Sequence, residues 1–143
     1  MREKAYLTQR YAAILSSVGL ILILAGALMV APLCLLFFYP SQAPHIPAFM
    51  LPASALAMLG IMLWRVFRDA HVAILSVQEG GIIVLVSWVV VILFSAWPFA
   101  AVLGISFSRA LFEAVSGWTT TGLSVVDVTR AGPLILFWRS LTQ

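Results

Sequence analysis

No Asp, Glu, Lys or Arg occurs between Tyr11 and Trp64, a run of 54 residues, and none between Gly80 and Ser108, a run of 29. About 20 apolar residues cross the hydrocarbon core of a bilayer, and a charge at the centre of such a span is costly. The first run is therefore long enough for two crossings and the second for one. Composition agrees: 63% of the residues are hydrophobic and 9% charged, where a soluble domain carries about 25% charged residues. An ordinary cytosolic enzyme is excluded, and the chain is expected to be an all-α integral membrane protein.

The sparse polar residues rule out further classes. Eight Lys and Arg stand against five Asp and Glu, without the basic face interleaved with aromatics that nucleic-acid binding needs. The single cysteine, Cys34, lies in the first apolar run and reads as a small apolar filler. His45 and His71 stand far apart with no Cys or carboxylate pattern around them, so no side-chain metal centre is expected. The opening MREKAYLTQR resembles the start of a signal peptide, and Ala25-Gly26-Ala27 has the form of a cleavage box. The apolar run continues to Phe38, however, past the ~7–15 residues of a signal core, and is read as a retained span.

Three crossings follow. The first, 12–38, is roughly 40 Å as a helix and needs tilt or a bend, for which Pro32 gives a reason. YPSQAPHIP, with three prolines, is expected to be a tight polar turn. The second span, 47–64, ends at Trp64, Arg65 and Arg68, an aromatic and basic boundary. A connector, 65–80, precedes the third span, 81–102. The basic residues Arg2, Lys4, Arg10, Arg65 and Arg68 place the N-terminus and the connector in the cytoplasm and the 39–45 turn outside.

The segment after the third span carries the functional information. Residues 107–118, FSRALFEAVSGW, have helical character with Ser106 or Ser108 as N-cap, yet ~12 residues cannot cross a bilayer. TTTGLSVVDVTRAG follows, and then a new apolar run, 133–143. Non-helical backbone at membrane depth is tolerated only where it is buried in protein or lines an aqueous path. The C-terminal end of a short helix favours cations, and successive carbonyls of an extended Thr-Thr-Thr-Gly loop can replace the hydration shell of a cation. Glycine at the fourth place allows a backbone angle that a side chain resists. The order is helix, pore helix, filter loop, helix.

The run LFEAVSGWTTTGLSVVD, 111–127, resembles the first filter region of the Trk/Ktr/HKT potassium transporters, whose pattern is close to F-E-x-x-S-G-x-T-T-T-G. Phe112, Glu113, Ser116, Gly117, Thr119, Thr120, Thr121 and Gly122 match it. The resemblance extends to the whole chain and is nearest to the TrkH-type subunit, which carries an extra leading helix pair. It implies a leading pair over 1–80 and a first pore unit over 81–143, with spanning helix 81–102, pore helix 107–118, filter loop 119–124 and the start of a second helix at 133–143. It also implies that the carbonyls of Thr120, Thr121, Gly122 and Leu123 coordinate K+, and that Glu113, Ser116, Gly117 and Thr119 support the loop. Four such units form one pore in the family, so the chain, whose last helix stops at Gln143, reads as an N-terminal part. Potassium is then the transported ion, with no covalent cofactor. The other partners are the bilayer, the remaining pore units, a second copy in a homodimer and a cytoplasmic nucleotide-binding regulatory subunit. In the plant relatives, glycine at the position of Gly122 goes with potassium and serine with sodium. A multi-pass protein of the bacterial cytoplasmic membrane is implied.

Simpler readings stand beside these. Glu113 either braces the filter through backbone N–H groups or meets water or Arg109 at the outer surface. Asp127 either concentrates cations or pairs with Arg130, and Arg139 either snorkels to an interface or pairs with another part of the protein. The five tryptophans are packing and interface residues. A tetrameric small cation channel would use one filter segment per copy, but the T-V-G-Y-G sequence of such channels is missing. A non-transporting interaction protein leaves the polar loop unexplained. No Ser/His, Asp/Asp or His-Glu-x-x-His arrangement in the spans suggests an enzyme.

Overall fold

A computed structural model describes residues 2–68, 75–127, 129 and 131–143, with side chains from Leu7 onward. Helices α1 (Arg2–Val30), α2 (Ile46–Phe67) and α3 (Val77–Leu103) are followed by the short α4 (Phe107–Trp118) and α5 (Pro133–Thr142). No strand occurs among the described residues. Three segments, Leu7–Phe37, Pro40–Phe67 and Val77–Leu103, are long and apolar enough to cross a membrane. The chain is an all-α membrane protein.

The first apolar run is not one α-helix. The α-helix ends at Val30 and the chain continues as a 3₁₀ helix over Ala31–Phe37, with Pro32 in its first turn. Proline lacks the N–H of the α-helical ladder and its ring collides with the preceding turn, so the geometry changes where the bend was expected. The turn expected at 39–45 is likewise a 3₁₀ helix, Pro40–His45, between Pro40 and the start of α2. Cys34, in this 3₁₀ segment, is exposed and fills no core space.

Helices α1 and α2 form an antiparallel pair that small residues bring together. A Cβ on Gly19 would lie 2.7 Å from the Gly60 carbonyl oxygen, and one on Gly60 would lie 2.6 Å from that of Gly19. Seven residues further along α1, and seven back along α2, a Cβ on Gly26 would lie 2.9 Å from the Ala53 carbonyl oxygen. Without a hydrophobic drive inside lipid, such backbone approach supplies the dispersion contact that holds membrane helices together.

Helix α3 packs across this pair. Its start is fixed by a capping box: the Glu79 N–H donates to Ser76 Oγ at 3.3 Å, while the Ser76 N–H donates to Glu79 Oε2 at 2.7 Å. The same carboxylate forms a two-pronged ion pair with Arg10, whose Nη2 donates to Oε2 at 2.7 Å. Bidentate guanidinium–carboxylate pairs hold geometry as well as charge. The N-terminal ends of α1 and α3 are thereby tied on one side of the bundle.

Two apolar clusters fill the interior. One gathers Ile14, Val18, Leu22, Leu56, Ile83 and Val91 from the three long helices. The other surrounds α4 and α5, with Phe49, Phe99, Ala110, Ala114, Leu134 and Trp138 among its members. Trp138 packs edge-on against Phe49, centroids 6.3 Å apart. Ser95 of α3 links the two clusters: the indole of Trp118, which packs against the first, donates to its hydroxyl at 3.0 Å and that of Trp138, in the second, to its carbonyl at 3.4 Å. These indoles serve packing, each with its polar edge satisfied.

Candidate cation-lining loop

Helix α3 stops at Gly104, whose φ of 63° gives the left-handed turn that closes many helices. Ser106 starts α4 two residues later in extended conformation, its hydroxyl 3.2 Å from that of Ser108 rather than on the helix backbone. Ala110, Glu113, Ala114 and Gly117 recur at three- and four-residue spacing and form the buried face, together with Ser116. Phe107, Phe112 and Val115 are exposed on the other side.

The end of α4 is a Schellman closure. The Thr121 N–H donates to the Ser116 carbonyl at 3.0 Å and the Thr120 N–H to that of Gly117 at 2.9 Å, the paired bonds of that motif. The motif requires a left-handed residue at its penultimate place, and here it is Thr120, with φ 53°. A β-branched residue in that region is an outlier, and such strain concentrates at functional sites. Gly122, with φ 76°, is the second left-handed position. A Cβ there would meet nothing nearer than Gln143 Nε2 at 3.8 Å, so its backbone angle, not crowding, calls for glycine. Gly117 differs: an added Cβ would lie 2.6 Å from Thr142 Oγ1, and α5 can approach only because it is absent.

Side chains of α4 hold one edge of the loop. Glu113 is 1% exposed, and its Oε1 accepts from the Val125 N–H at 2.6 Å and from the Ser124 hydroxyl at 2.7 Å. Its Oε2 lies 3.5 Å from Arg139 Nε, within reach for charge pairing but without a hydrogen bond. The Ser116 hydroxyl donates to the Leu123 carbonyl at 2.6 Å, so one lone pair of that carbonyl is already engaged. The Thr119 hydroxyl donates to the Val115 carbonyl at 2.7 Å and stands 2.8 Å from that of Thr121. Residues 119–125 are exposed as a whole, beside a recess of about 90 Å³ between α4 and the loop, lined by Phe112, Val115, Ser116, Thr119, Thr121 and Leu123. Behind the loop, the space between Glu113, Val126, Ile135 and Arg139 is nearly filled, with about 10 Å³ left.

The residues singled out by sequence therefore fall in one place: Glu113, Ser116 and Gly117 on α4, Thr119 at its end, and 120–123 in the loop. Glu113 accepts from a backbone N–H of the loop, that of Val125, and the cation beside it is Arg139. Sequence reasoning missed that pairing, because the separation of 26 positions carries no helical or strand periodicity. It also missed the Arg10–Glu79 tie, although Ser76-Val77-Gln78-Glu79 is a legible capping box. Asp127 accepts from the Thr129 N–H at 3.0 Å and its hydroxyl at 2.6 Å. Those two bonds, the hydroxyl first, hold its carboxyl below the usual carboxylate range. The expected Asp127–Arg130 pair lies outside the described residues, as does His71. Among the described residues, no three His, Cys, Asp or Glu side chains gather as a metal site.

Known proteins share this chain's sequence at modest identity. It is 32% identical over 139 residues, 94% of the chain, to the Trk system potassium uptake protein TrkH of Vibrio parahaemolyticus. It is 29% identical over 125 residues, 85% of the chain, to the Trk system potassium uptake protein TrkG of Escherichia coli K12. An uncharacterized cation transporter of Methanocaldococcus jannaschii is 26% identical over 132 residues, 91% of the chain. The chain is similar to Trk-type potassium uptake proteins. It spans about a quarter of the length of these curated relatives, 28%, 25% and 27% respectively. No protein-family model matches the chain, and no solved structure matches it significantly.

Proposed function

We propose that the chain is the leading part of a Trk-type potassium-uptake subunit of the bacterial cytoplasmic membrane, with residues 119–124 as its first filter segment. The observation that carries the reading is a short helix whose buried carboxylate and hydroxyl hold a non-helical loop with two left-handed positions, residues 119–125 of which are otherwise exposed. Carbonyls so anchored replace water around a dehydrated cation at little reorganisation cost. Thr120, Thr121 and Gly122 offer carbonyls to potassium, and Leu123 contributes its remaining lone pair. The Arg10–Glu79 tie puts the N-terminus on the side of the basic α2 end, Arg65 and Arg68, which the positive-inside rule assigns to the cytoplasm. Further pore units, a homodimeric partner and a cytoplasmic nucleotide-binding regulator complete the working assembly in this reading. Its role is transport rather than enzymatic catalysis.

The test replaces the matching segment of Vibrio parahaemolyticus TrkH with this chain, in cells lacking their own potassium-uptake systems, and measures growth at limiting potassium together with rubidium uptake. The chimera should restore saturable uptake, Gly122→Ser should reduce potassium-over-sodium discrimination, and the chain by itself should restore nothing. Unchanged discrimination in Gly122→Ser refutes the filter assignment. Uptake by the chain alone favours a self-assembling tetrameric channel.

A further inference from the structure

Arg139 lies in the last turn of α5 and faces two groups of the candidate site at once. Its Nε stands 3.5 Å from Glu113 Oε2, and its Nη2 stands 3.5 Å from the Gly122 carbonyl oxygen, the outer limit of a hydrogen bond. The Glu113 side chain is 1% exposed and that of Arg139 20%. The carboxylate is thus divided: Oε1 holds the loop at Ser124 and Val125, and Oε2 faces the guanidinium. A buried carboxylate without a counter-charge is costly and shifts or turns to relieve that cost.

We infer that Arg139 is a positioning residue for the loop: through Glu113 it fixes the 122–125 segment, and beside the Gly122 carbonyl it sets how that carbonyl is presented to a cation. The second half rests on the reading of 119–124 as a cation-lining segment; the first half does not. The Schellman bonds and the Ser116 hydroxyl tie α4 to the loop, and Gly117 packs α4 on α5; at the Glu113–Arg139 pair all three elements meet through charge. Gly122 is the loop position whose backbone angle is least restricted by a side chain, so the carbonyl nearest Arg139 belongs to the residue freest to reorient. Arginine suits the place because a fork of donors can address a carboxylate and a carbonyl together, whereas a lysine presents one compact charge.

The test has two readouts. In the chain itself, in lipid nanodiscs, amide hydrogen exchange is followed by NMR for the wild type, Arg139→Gln, Arg139→Lys, Glu113→Gln and the double variant Glu113→Gln/Arg139→Gln. Leu136→Ala, which trims the same face of α5 without touching charge, is the packing control. Arg139→Gln should speed exchange at Val125, the amide that donates to Glu113, by at least about tenfold, the scale of a weakened hydrogen bond to a charged group. Arg139→Lys should recover part of the protection, and the double variant should be no faster than Glu113→Gln. Equal exchange in wild type and Arg139→Gln overturns the inference. So does acceleration spread evenly over α4 as in Leu136→Ala, or identical behaviour of the Gln and Lys variants. If the Gln variant does not fold, the Lys variant alone decides, by selective acceleration at Val125 or none. In the TrkH chimera, Arg139→Gln should lower the potassium-over-sodium uptake ratio severalfold, and Arg139→Lys less. An inactive wild-type chimera counts against the transport reading and leaves the exchange result to judge the positioning role.

Discussion

Thr120 and Gly122 occupy the same left-handed backbone region with unlike residues, φ 53° and 76°, so exchanging their chemistry should move stability in opposite directions. An L-residue with a Cβ pays about 1–2 kcal/mol there. Against this, replacing glycine by alanine restricts the unfolded chain and returns about 0.4–1 kcal/mol. A Cβ at Gly122 has open space, with the nearest heavy atom 3.8 Å away, so no collision adds to the sum. Gly122→Ala should then lose about 1 kcal/mol. Thr120→Gly reverses both contributions, and its side chain is exposed; it should gain about 1 kcal/mol, with threonine's branching at the costly end of the strain range. The two variants differ by about 2 kcal/mol, roughly thirtyfold in the folding equilibrium. Reversible unfolding in mixed micelles titrated with sodium dodecyl sulfate, read by tryptophan fluorescence, resolves that difference. A neutral Gly122→Ala or a destabilised Thr120→Gly would refute the argument that backbone angle governs this loop.

Gly117→Ala should destabilise by about 1–2 kcal/mol, since overpacking outweighs the helix propensity gained. Because its Cβ would press on Thr142 Oγ1 and Cβ at 2.6 and 3.2 Å, a Thr142→Gly background should remove most of that loss in the same unfolding assay; an additive pair of losses would place the cause elsewhere. For topology, cysteines introduced at Ser41 and Ala70 in a Cys34→Ala background should react with a membrane-impermeant thiol reagent from outside only at 41; the opposite pattern inverts the bundle. The Asp127 carboxyl, held low by Thr129, contributes stability that is present above the ordinary carboxylate pKa and lost as pH falls through its lowered value. Thr129→Val should move the Asp127 titration upward in a carboxyl-detected NMR experiment, and an unmoved titration would assign the shift to another cause.

The spans were legible because lipid imposes one rule on every residue of a crossing helix: absence of charge over the required length. Residues 112–122 were legible for a related reason, since a helix too short to cross, followed by threonines and glycine, has few solutions at membrane depth. Pro32 likewise announced a break by its missing N–H. What took its place, a 3₁₀ helix that leaves Cys34 exposed, depended on how the chain packs beyond Val30. The approach of Gly19 to Gly60 and the sharing of Ser95 by Trp118 and Trp138 were decided by tertiary structure alone, as was the meeting of Glu113 with Arg139. Periodicity relates residues within one helix, and the composition of a span fixes that it crosses. Neither specifies which face of one helix turns toward another, because in an apolar solvent the choice rests on close packing and a few polar contacts between residues far apart in the chain.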